Sequence, residues 1–129
     1  MNKSRIYISL FMIFFITYCY ARPAIVFEEV IHNFGIVKTE TSVKHTFHFR
    51  NTGKSKLVIE RIKAGWGCTG TLLSSREIPA GGSGKIEIEL YTDKRTGEIE
   101  KTVSVHTNDP DHKIIKIILK ATVADDWLQ

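Results

Sequence analysis

The stretch KIEIEL, residues 85–90, alternates without interruption between charged and apolar side chains. Successive side chains of a β-strand point to opposite faces, so residues two apart share a face. Ile86, Ile88 and Leu90 therefore predict a strand with one face in a core, and the lysine and glutamates predict a solvent face.

The same period of two recurs along the chain. Residues 43–50, VKHTFHFR, place Val43, Phe47 and Phe49 on one side and His48 on the other. The last apolar segment continues the pattern with Ile115, Ile117, Leu119, Ala121 and Val123. No window of comparable length shows helical spacing, so the sequence predicts an all-β fold.

Turn-forming residues divide these segments. Residues 51–55 (NTGKS), 79–84 (PAGGSG) and 107–111 (TNDPD) are rich in glycine, asparagine and aspartate, which favour turn conformations. Short strands at this spacing predict a β-sandwich of about seven strands. The approximate predicted strands are 25–31, 34–38, 43–51, 56–63, 71–77, 84–92, 98–107 and 112–123.

The N-terminus has the composition of a secretory signal peptide. Lys3 and Arg5 precede an uncharged apolar run over residues 6–20, and the small residues of 19–21 (CYA) suit a cleavage site before Arg22. The run is shorter than the roughly 20 residues of a transmembrane helix, which makes an uncleaved anchor the weaker alternative. We expect residues 1–21 to be removed and the protein to be exported, to the periplasm or the cell envelope.

Cys19 offers a different interpretation of the same segment. Residues 16–19 (ITYC) loosely resemble a bacterial lipobox, which would make Cys19 a lipidated residue and attach the protein to a membrane. Tyr18 argues against this, because a small residue normally occupies that position.

Cleavage would leave one domain, residues 22–129, of 108 residues. That length suffices for a single hydrophobic core. The leader carries two of the eighteen Lys+Arg and no acidic residue, so the formal net charge falls from +4 to +2. This weak, mixed charge does not indicate nucleic-acid binding, and we expect a monomer.

Six short motifs occur in an order that resembles a known family. These are residues 33–37 (NFGIV), 49–53 (FRNTG), 57–59 (LVI), 67–69 (GCT), 78–81 (IPAG) and 105–110 (VHTNDP). The chain resembles the secreted bacterial domain-of-unknown-function family 1573 (DUF1573) over about residues 26–123. That family is similar to the immunoglobulin-like modules of the ASPM, SPD-2 and Hydin group, and more loosely to major sperm protein.

The resemblance implies an immunoglobulin-like β-sandwich in the cell envelope and no particular reaction. The three loop motifs have structural interpretations. Residues 33–35 can turn the first strand across the sandwich edge, with Phe34 in the core. Residues 51–53 can form a hairpin turn in left-handed conformations. Residues 107–110 can close the last hairpin through side-chain hydrogen bonds to nearby N–H groups.

Cys68 is the cysteine that remains after cleavage, so no intrachain disulfide can form. The family pattern has a second cysteine where this chain has Trp66, which removes the two-thiolate site that could bind a soft metal or cycle as a disulfide. Three hypotheses stay open for Cys68: a packed thiol, an exposed thiol that forms mixed disulfides, or a metal ligand or nucleophile.

Other candidates for chemistry are weak. The five histidines show no metal-ligand spacing, and His45 has the parity of the core face whereas His48 faces solvent. Ser74 and Ser75 have no catalytic context. The glutamates of residues 87–100 fall on outward phases of strands, where lysines can neutralise them. We therefore expect no enzyme activity, no cofactor and no metal site.

Two functional hypotheses follow. The first is a non-catalytic envelope module that binds a protein or a glycan, and the second is a thiol-dependent redox or metal-handling protein centred on Cys68. For the first, the final strand offers a candidate partner edge, because two isoleucines share its outward phase with two lysines. The residues of this candidate edge are Ile114, Lys116, Ile118 and Lys120. The alternative is that Trp127 and Leu128 or a neighbouring strand cover the isoleucines.

Overall fold

A computed structural model of the chain describes residues 21–65 and 68–125, with the side chains of all of these except residues 68 and 69. Residues 1–20, which include Cys19, and the tail residues Trp127 and Leu128 lie outside this range. The described residues form nine strands and no helix, and none of them belongs to a helix that could cross a membrane. The strands are β1 (Ile25–Phe27), β2 (Ile31–Lys38), β3 (Ser42–Asn51), β4 (Leu57–Ala64), β5 (Cys68–Leu73), β6 (Glu77–Ile78), β7 (Ser83–Tyr91), β8 (Gly97–Thr107) and β9 (Ile114–Ala124).

The strands form two sheets that face each other across the core. Sheet A has the order β1-β3-β7-β5, and sheet B has the order β2-β9-β8-β4-β6. All neighbours are antiparallel except β2 and β9, which are parallel. The predicted all-β sandwich is confirmed.

Nine strands are observed where about seven were predicted in eight approximate segments, and two of those segments each extend across both sheets. The segment predicted as one strand at 25–31 begins in sheet A as β1 and enters sheet B as the start of β2. The segment predicted at 71–77 likewise begins in sheet A, as the end of β5, and finishes in sheet B, at the start of β6. Period-two patterning identifies a strand but carries no information on which sheet it joins.

The core consists of the faces that the alternation predicts. β3 contributes Phe47 and Phe49, and β7 contributes Ile86, Ile88 and Leu90, all fully buried. Sheet B supplies the opposite layer with Leu57, Ile59, Val103, Val105, Ile117 and Leu119. Burial of each such side chain stabilises the fold by roughly 1.5–3 kcal/mol before the entropic cost of ordering the chain is counted.

The chain crosses from sheet A to sheet B immediately after β1. Phe27 is paired with Phe49 of β3, and the Glu28 N–H donates to the His48 carbonyl at 3.0 Å. Two residues later the Val30 carbonyl accepts from the Ile118 N–H of β9 at 2.7 Å. This crossing places the inward-facing side chains of β2 beside the part of β3 that is not paired with β1.

The loop at residues 51–53 differs from its prediction. β3 and β4 belong to different sheets, so the loop is not a hairpin, and neither Asn51 nor Gly53 has a positive φ. The buried Asn51 side chain instead accepts from the N–H groups of Ala24 (3.1 Å) and Gly53 (3.0 Å), and donates to the carbonyl of Ile78 (3.1 Å). The motif therefore fastens the N-terminal segment to two loops.

The loop at residues 107–110 closes the β8–β9 hairpin as predicted. Asp109 is only 1% exposed, and its carboxylate accepts from the backbone N–H groups of Ile25 at 3.0 Å and Asp111 at 2.9 Å. Asn108 accepts from the Val58 N–H at 2.8 Å. Two polar side chains thus tie this hairpin to β1 and β4.

Candidate functional site

Three side chains with metal-ligating atoms meet where the chain crosses between the sheets. Glu29 lies in the crossing itself, His32 lies on β2 and His45 lies on β3. One ligand atom from each residue lies within 4.8 Å of the others. We call these three residues the crossover cluster.

The geometry of the crossover cluster is compact. The imidazole rings of His32 and His45 stack with centroids 3.5 Å apart and planes inclined by 8°. Nε2 of His45 is hydrogen-bonded to Oε1 of Glu29. Both histidines are half-buried, whereas Glu29 is exposed, so the cluster opens to solvent on the side of the carboxylate.

Aromatic rings line the inner side of the crossover cluster. Phe34 meets His32 edge-on at a centroid distance of 4.7 Å, and Phe47 meets His45 in the same way at 4.8 Å. Phe47 belongs to the central core, and Phe34 packs against it. The two imidazoles are therefore held by the hydrophobic core itself.

The electrostatics favour a neutral imidazole at His32. Burial lowers the pKa of His32, the neighbouring His45 lowers it further, and the Glu29 carboxylate opposes both effects. A neutral imidazole has one ring nitrogen with a free lone pair, which is the form that binds a metal ion or accepts a hydrogen bond.

The spacing of the histidines along the chain gives no indication of this cluster. The prediction that His45 points inward and His48 outward is confirmed, since His45 is half-buried and His48 exposed. What the sequence did not indicate is that His32 has the same inward phase on β2. A histidine of inward parity on each of two strands that are consecutive in the chain was the available signal.

The remaining histidines lie apart from the crossover cluster. His106 is on β8, and His112 follows the β8–β9 turn, where its Nδ1 lies 3.1 Å from Oδ2 of Asp109. His112 thus belongs to the loop network around Asp109.

Cys68 begins β5, where its Cα is in register with that of Leu90 on β7. Its thiol lies outside the described side chains, so the three hypotheses for its chemistry stay predictions. Cys19 lies outside the described residues altogether, and the lipidation hypothesis stays a prediction as well.

The prediction that the final strand lies at a sheet edge is wrong. β9 is paired with β2 on one side and with β8 on the other, because the crossing chain adds β2 as an outer strand. Ile118 is half-buried between its register partners Ile31 and Thr102, whereas Ile114 is 54% exposed. Lys116 and Lys120 are exposed, but the four residues form part of a sheet face and not of an edge.

β5 forms an open edge of sheet A. Among the described residues its hydrogen-bonded neighbour is β7, and it lies at the end of the strand order. The six residues CTGTLL include no charged residue and no proline. Charged residues and prolines are what commonly protects an edge strand from pairing. Leu72 on this strand is 69% exposed.

The outward backbone groups of β5 can be assigned from its pairing. The Ser74 N–H donates to the Lys85 carbonyl of β7 at 3.0 Å. Because backbone groups alternate in direction along a strand, the N–H groups of Thr71 and Leu73 point away from β7. No register shift occurs between Gly70 and Leu73, so the alternation holds there.

The other terminal strands are less suited to pairing. β1 has three residues and β6 has two. β2 is longer, but its register shifts between Asn33 and Ile36, and Gly35 has a φ of 75°. Irregularities of this kind are a common protection of edge strands. β5 also has a register shift, between Cys68 and Gly70, but its residues from Gly70 to Leu73 pair regularly with β7. No other terminal strand of the described residues has a regular run of that length.

The fold is an immunoglobulin-like, PapD-like β-sandwich. Its two sheets face each other, the chain crosses between them after β1, and all strand pairs except β2–β9 are antiparallel. A family model described as Protein of unknown function (DUF1573) matches residues 25–123, and the chain belongs to this family. The resemblance inferred from the six motifs is thereby confirmed. No curated protein sequence matches the chain.

Solved structures share the fold at low sequence identity. A protein of unknown function from Porphyromonas gingivalis W83 superposes with a TM-score of 0.69 at 19% identity, over 84% of this chain and 50% of that one. The chain thus spans half the length of that protein. The ASH/PapD-like domain 7 of human CEP192 gives a TM-score of 0.60 at 9% identity, over 85% of this chain and 92% of that one.

A third similar structure is the VesB protease of Vibrio cholerae, with a TM-score of 0.59 at 11% identity. The match covers 78% of this chain and 32% of the protease. At these identities the likenesses show the shared fold alone.

Proposed function

We propose that this protein is a non-catalytic interaction module of the bacterial cell envelope, which binds a partner protein by accepting one of its strands at β5. The open, uncharged edge of β5 is the observation that carries the proposal. Strand addition supplies affinity through backbone hydrogen bonds, and side chains of alternate phase add specificity.

Several features of the chain support this role. β5 offers the outward N–H groups of Thr71 and Leu73, and Leu72 adds an exposed apolar side chain beside them. Such an edge in a natural protein invites pairing with another chain, and it is normally protected unless pairing is its purpose. The envelope location rests on the N-terminal leader, with Lys3, Arg5 and the apolar run that follows.

The experiment uses a proline placed on the open side of the edge. Thr71→Pro removes one outward N–H without removing a hydrogen bond to β7, because proline is tolerated at edge positions whose N–H faces solvent. Thr71→Val is the matched control, since it changes the side chain and keeps the N–H. Wild type and both variants are used as bait in cross-linked envelope extracts, and their thermal stabilities are compared.

The expected result is a defined partner recovered by wild type and Thr71→Val but lost with Thr71→Pro, while all three unfold at similar temperatures. Equal recovery of that partner by Thr71→Pro would show that β5 is not the binding edge. Size-exclusion chromatography of the same proteins distinguishes a foreign partner from a second copy of this chain.

A further inference from the structure

We propose that the crossover cluster of Glu29, His32 and His45 is a binding site for a divalent transition-metal ion, with Zn²⁺ as the ion that its ligands fit. Two imidazole nitrogens and one carboxylate oxygen form a donor set that zinc accepts in proteins, with a fourth position left open. The same donors bind Cu²⁺, which serves as a spectroscopic probe. This site is independent of the β5 edge.

The positions of the ligand atoms are close to those that a metal requires. Zinc bonds to nitrogen and oxygen are about 2.0–2.2 Å long, which places neighbouring ligand atoms roughly 3.3 Å apart. The ligand atoms of the cluster already lie within 4.8 Å of each other. Movements on the order of 1 Å, within the reach of side-chain rotation, would close the site.

Two specific adjustments complete the coordination. The His32 and His45 rings are nearly parallel, and a rotation of each about χ2 makes their lone pairs converge on one ion. Nε2 of His45 exchanges its hydrogen bond to the Glu29 carboxylate for a bond to the metal, with the ring proton carried on Nδ1, so that both groups become ligands of the same ion. Glu29 is exposed and is free to make this adjustment.

The surroundings of the crossover cluster limit the cost of placing an ion there. Phe34 and Phe47 cover the inner side of the imidazoles and reduce the access of water to them. A cation placed between two neutral imidazoles and a carboxylate retains a net charge of only +1. Partial burial therefore costs the complex less than it would cost an isolated divalent ion.

Metal binding would also link the two sheets. The ligands come from the crossing segment, from β2 of sheet B and from β3 of sheet A. An ion that bridges them holds the native arrangement of the crossing and is absent from the unfolded chain, so it raises the unfolding temperature.

The test is a titration of the tag-free protein with Zn²⁺, in a Cys68→Ser background that removes the thiol as a competing ligand. His32→Phe and His45→Phe keep an aromatic ring in each stack but provide no nitrogen ligand. His48→Phe is the matched control, because His48 lies on the same strand as His45 and faces solvent. Isothermal titration calorimetry gives the stoichiometry and affinity of each variant.

The expected result is one Zn²⁺ per chain, a thermal transition that rises with Zn²⁺, and affinity at least about tenfold weaker in His32→Phe and in His45→Phe. His48→Phe should match the parent. The electron paramagnetic resonance spectrum of the Cu²⁺ complex should show coupling to two imidazole nitrogens, and to one in each single variant.

Two results would overturn the proposal. One is Zn²⁺ binding of unchanged affinity in His32→Phe and His45→Phe, which would place the ion elsewhere on the chain. The other is absence of Zn²⁺ binding in a parent protein that is shown to be folded by circular dichroism. In that case the cluster is a hydrogen-bonded histidine stack and nothing more.

Discussion

Adjacent side chains on β3 lie on opposite faces of the sheet, one in the core and one at the surface. Phe47 is 0% exposed and lies at the centre of the sandwich, whereas the adjacent His48 is exposed. Phe47→Ala should lower the free energy of unfolding by about 3–5 kcal/mol, because it removes a buried ring and leaves a cavity. His48→Ala should change it by no more than about 0.5 kcal/mol. Urea denaturation of both variants provides the comparison, and equal destabilisation would contradict the register of β3.

The carboxyl group of Asp109 makes the free energy of unfolding depend on pH. Burial alone would raise the pKa of its carboxyl group, but hydrogen bonds from the Ile25 and Asp111 N–H groups and from His112 outweigh burial and lower the pKa below its ordinary value. The ionised group thus stabilises the folded state at pH values above its ordinary pKa. This contribution is lost as the pH falls through the unfolded and then the folded pKa.

Asp109→Asn tests this linkage. The variant should be less stable than wild type by about 1–3 kcal/mol at neutral pH, because the carboxylate accepts hydrogen bonds in a buried position. The difference between the two proteins should narrow as the pH is lowered below the ordinary pKa of aspartate. Thermal unfolding measured from pH 7 to pH 3 provides the test, and a gap that is constant over this range would refute it.

At the scale of elements, Gly53 lets the N-terminal segment approach the loop after β3. A Cβ at Gly53 would overlap the backbone carbonyl of Arg22 and would lie 2.6 Å from the Ala24 nitrogen. Backbone atoms cannot yield as a flexible side chain can. Gly53→Ala should therefore destabilise the fold by about 1–3 kcal/mol, in the range of overpacked sites.

Gly70 is the matched control for this substitution. It lies on β5 without a positive φ, and the nearest atom to an added Cβ is a carboxylate oxygen of Glu89 at 4.0 Å. Gly70→Ala should change stability by less than about 0.5 kcal/mol. Comparable losses in both alanine variants, measured by thermal unfolding, would show that close approach is not the reason for the glycine at position 53.

The order of elements explains why the final strand was wrongly predicted to lie at a sheet edge. The alternating pattern of residues 114–124 correctly predicts a strand and its buried face, with Ile117 and Leu119 fully buried. The pattern is the same for an inner strand and an outer one. Only the crossing after β1, which adds β2 beside β9, makes β9 an inner strand of sheet B.

At the scale of the whole molecule, oxidation of the protein tests whether Cys68 has an exposed, reactive thiol. Cys68→Ser should leave the fold intact, and the wild-type protein should be a monomer under reducing conditions. A packed thiol should also stay monomeric after oxidation, as measured by size-exclusion chromatography. A dimer that dithiothreitol dissociates and that Cys68→Ser does not form would instead establish an exposed thiol.

The sequence alone determined the properties of this protein that depend on local periodicity. Alternation specifies strands and the side chains that they bury, so the all-β class and the core faces of β3 and β7 followed from residues close together in the chain. The family followed from the order of six short motifs along the chain. The β8–β9 hairpin was equally accessible, because its turn residues bond to groups nearby in sequence as well as to distant strands.

Only the tertiary structure decided which distant residues meet. Glu29 and His45 are 16 residues apart and His32 lies on the opposite sheet, so no local spacing indicates that they adjoin. Their meeting depends on where the chain crosses between sheets and on the order of the strands. Those features arise from the packing of two complete faces against each other, which is a property of the whole chain and not of any one segment.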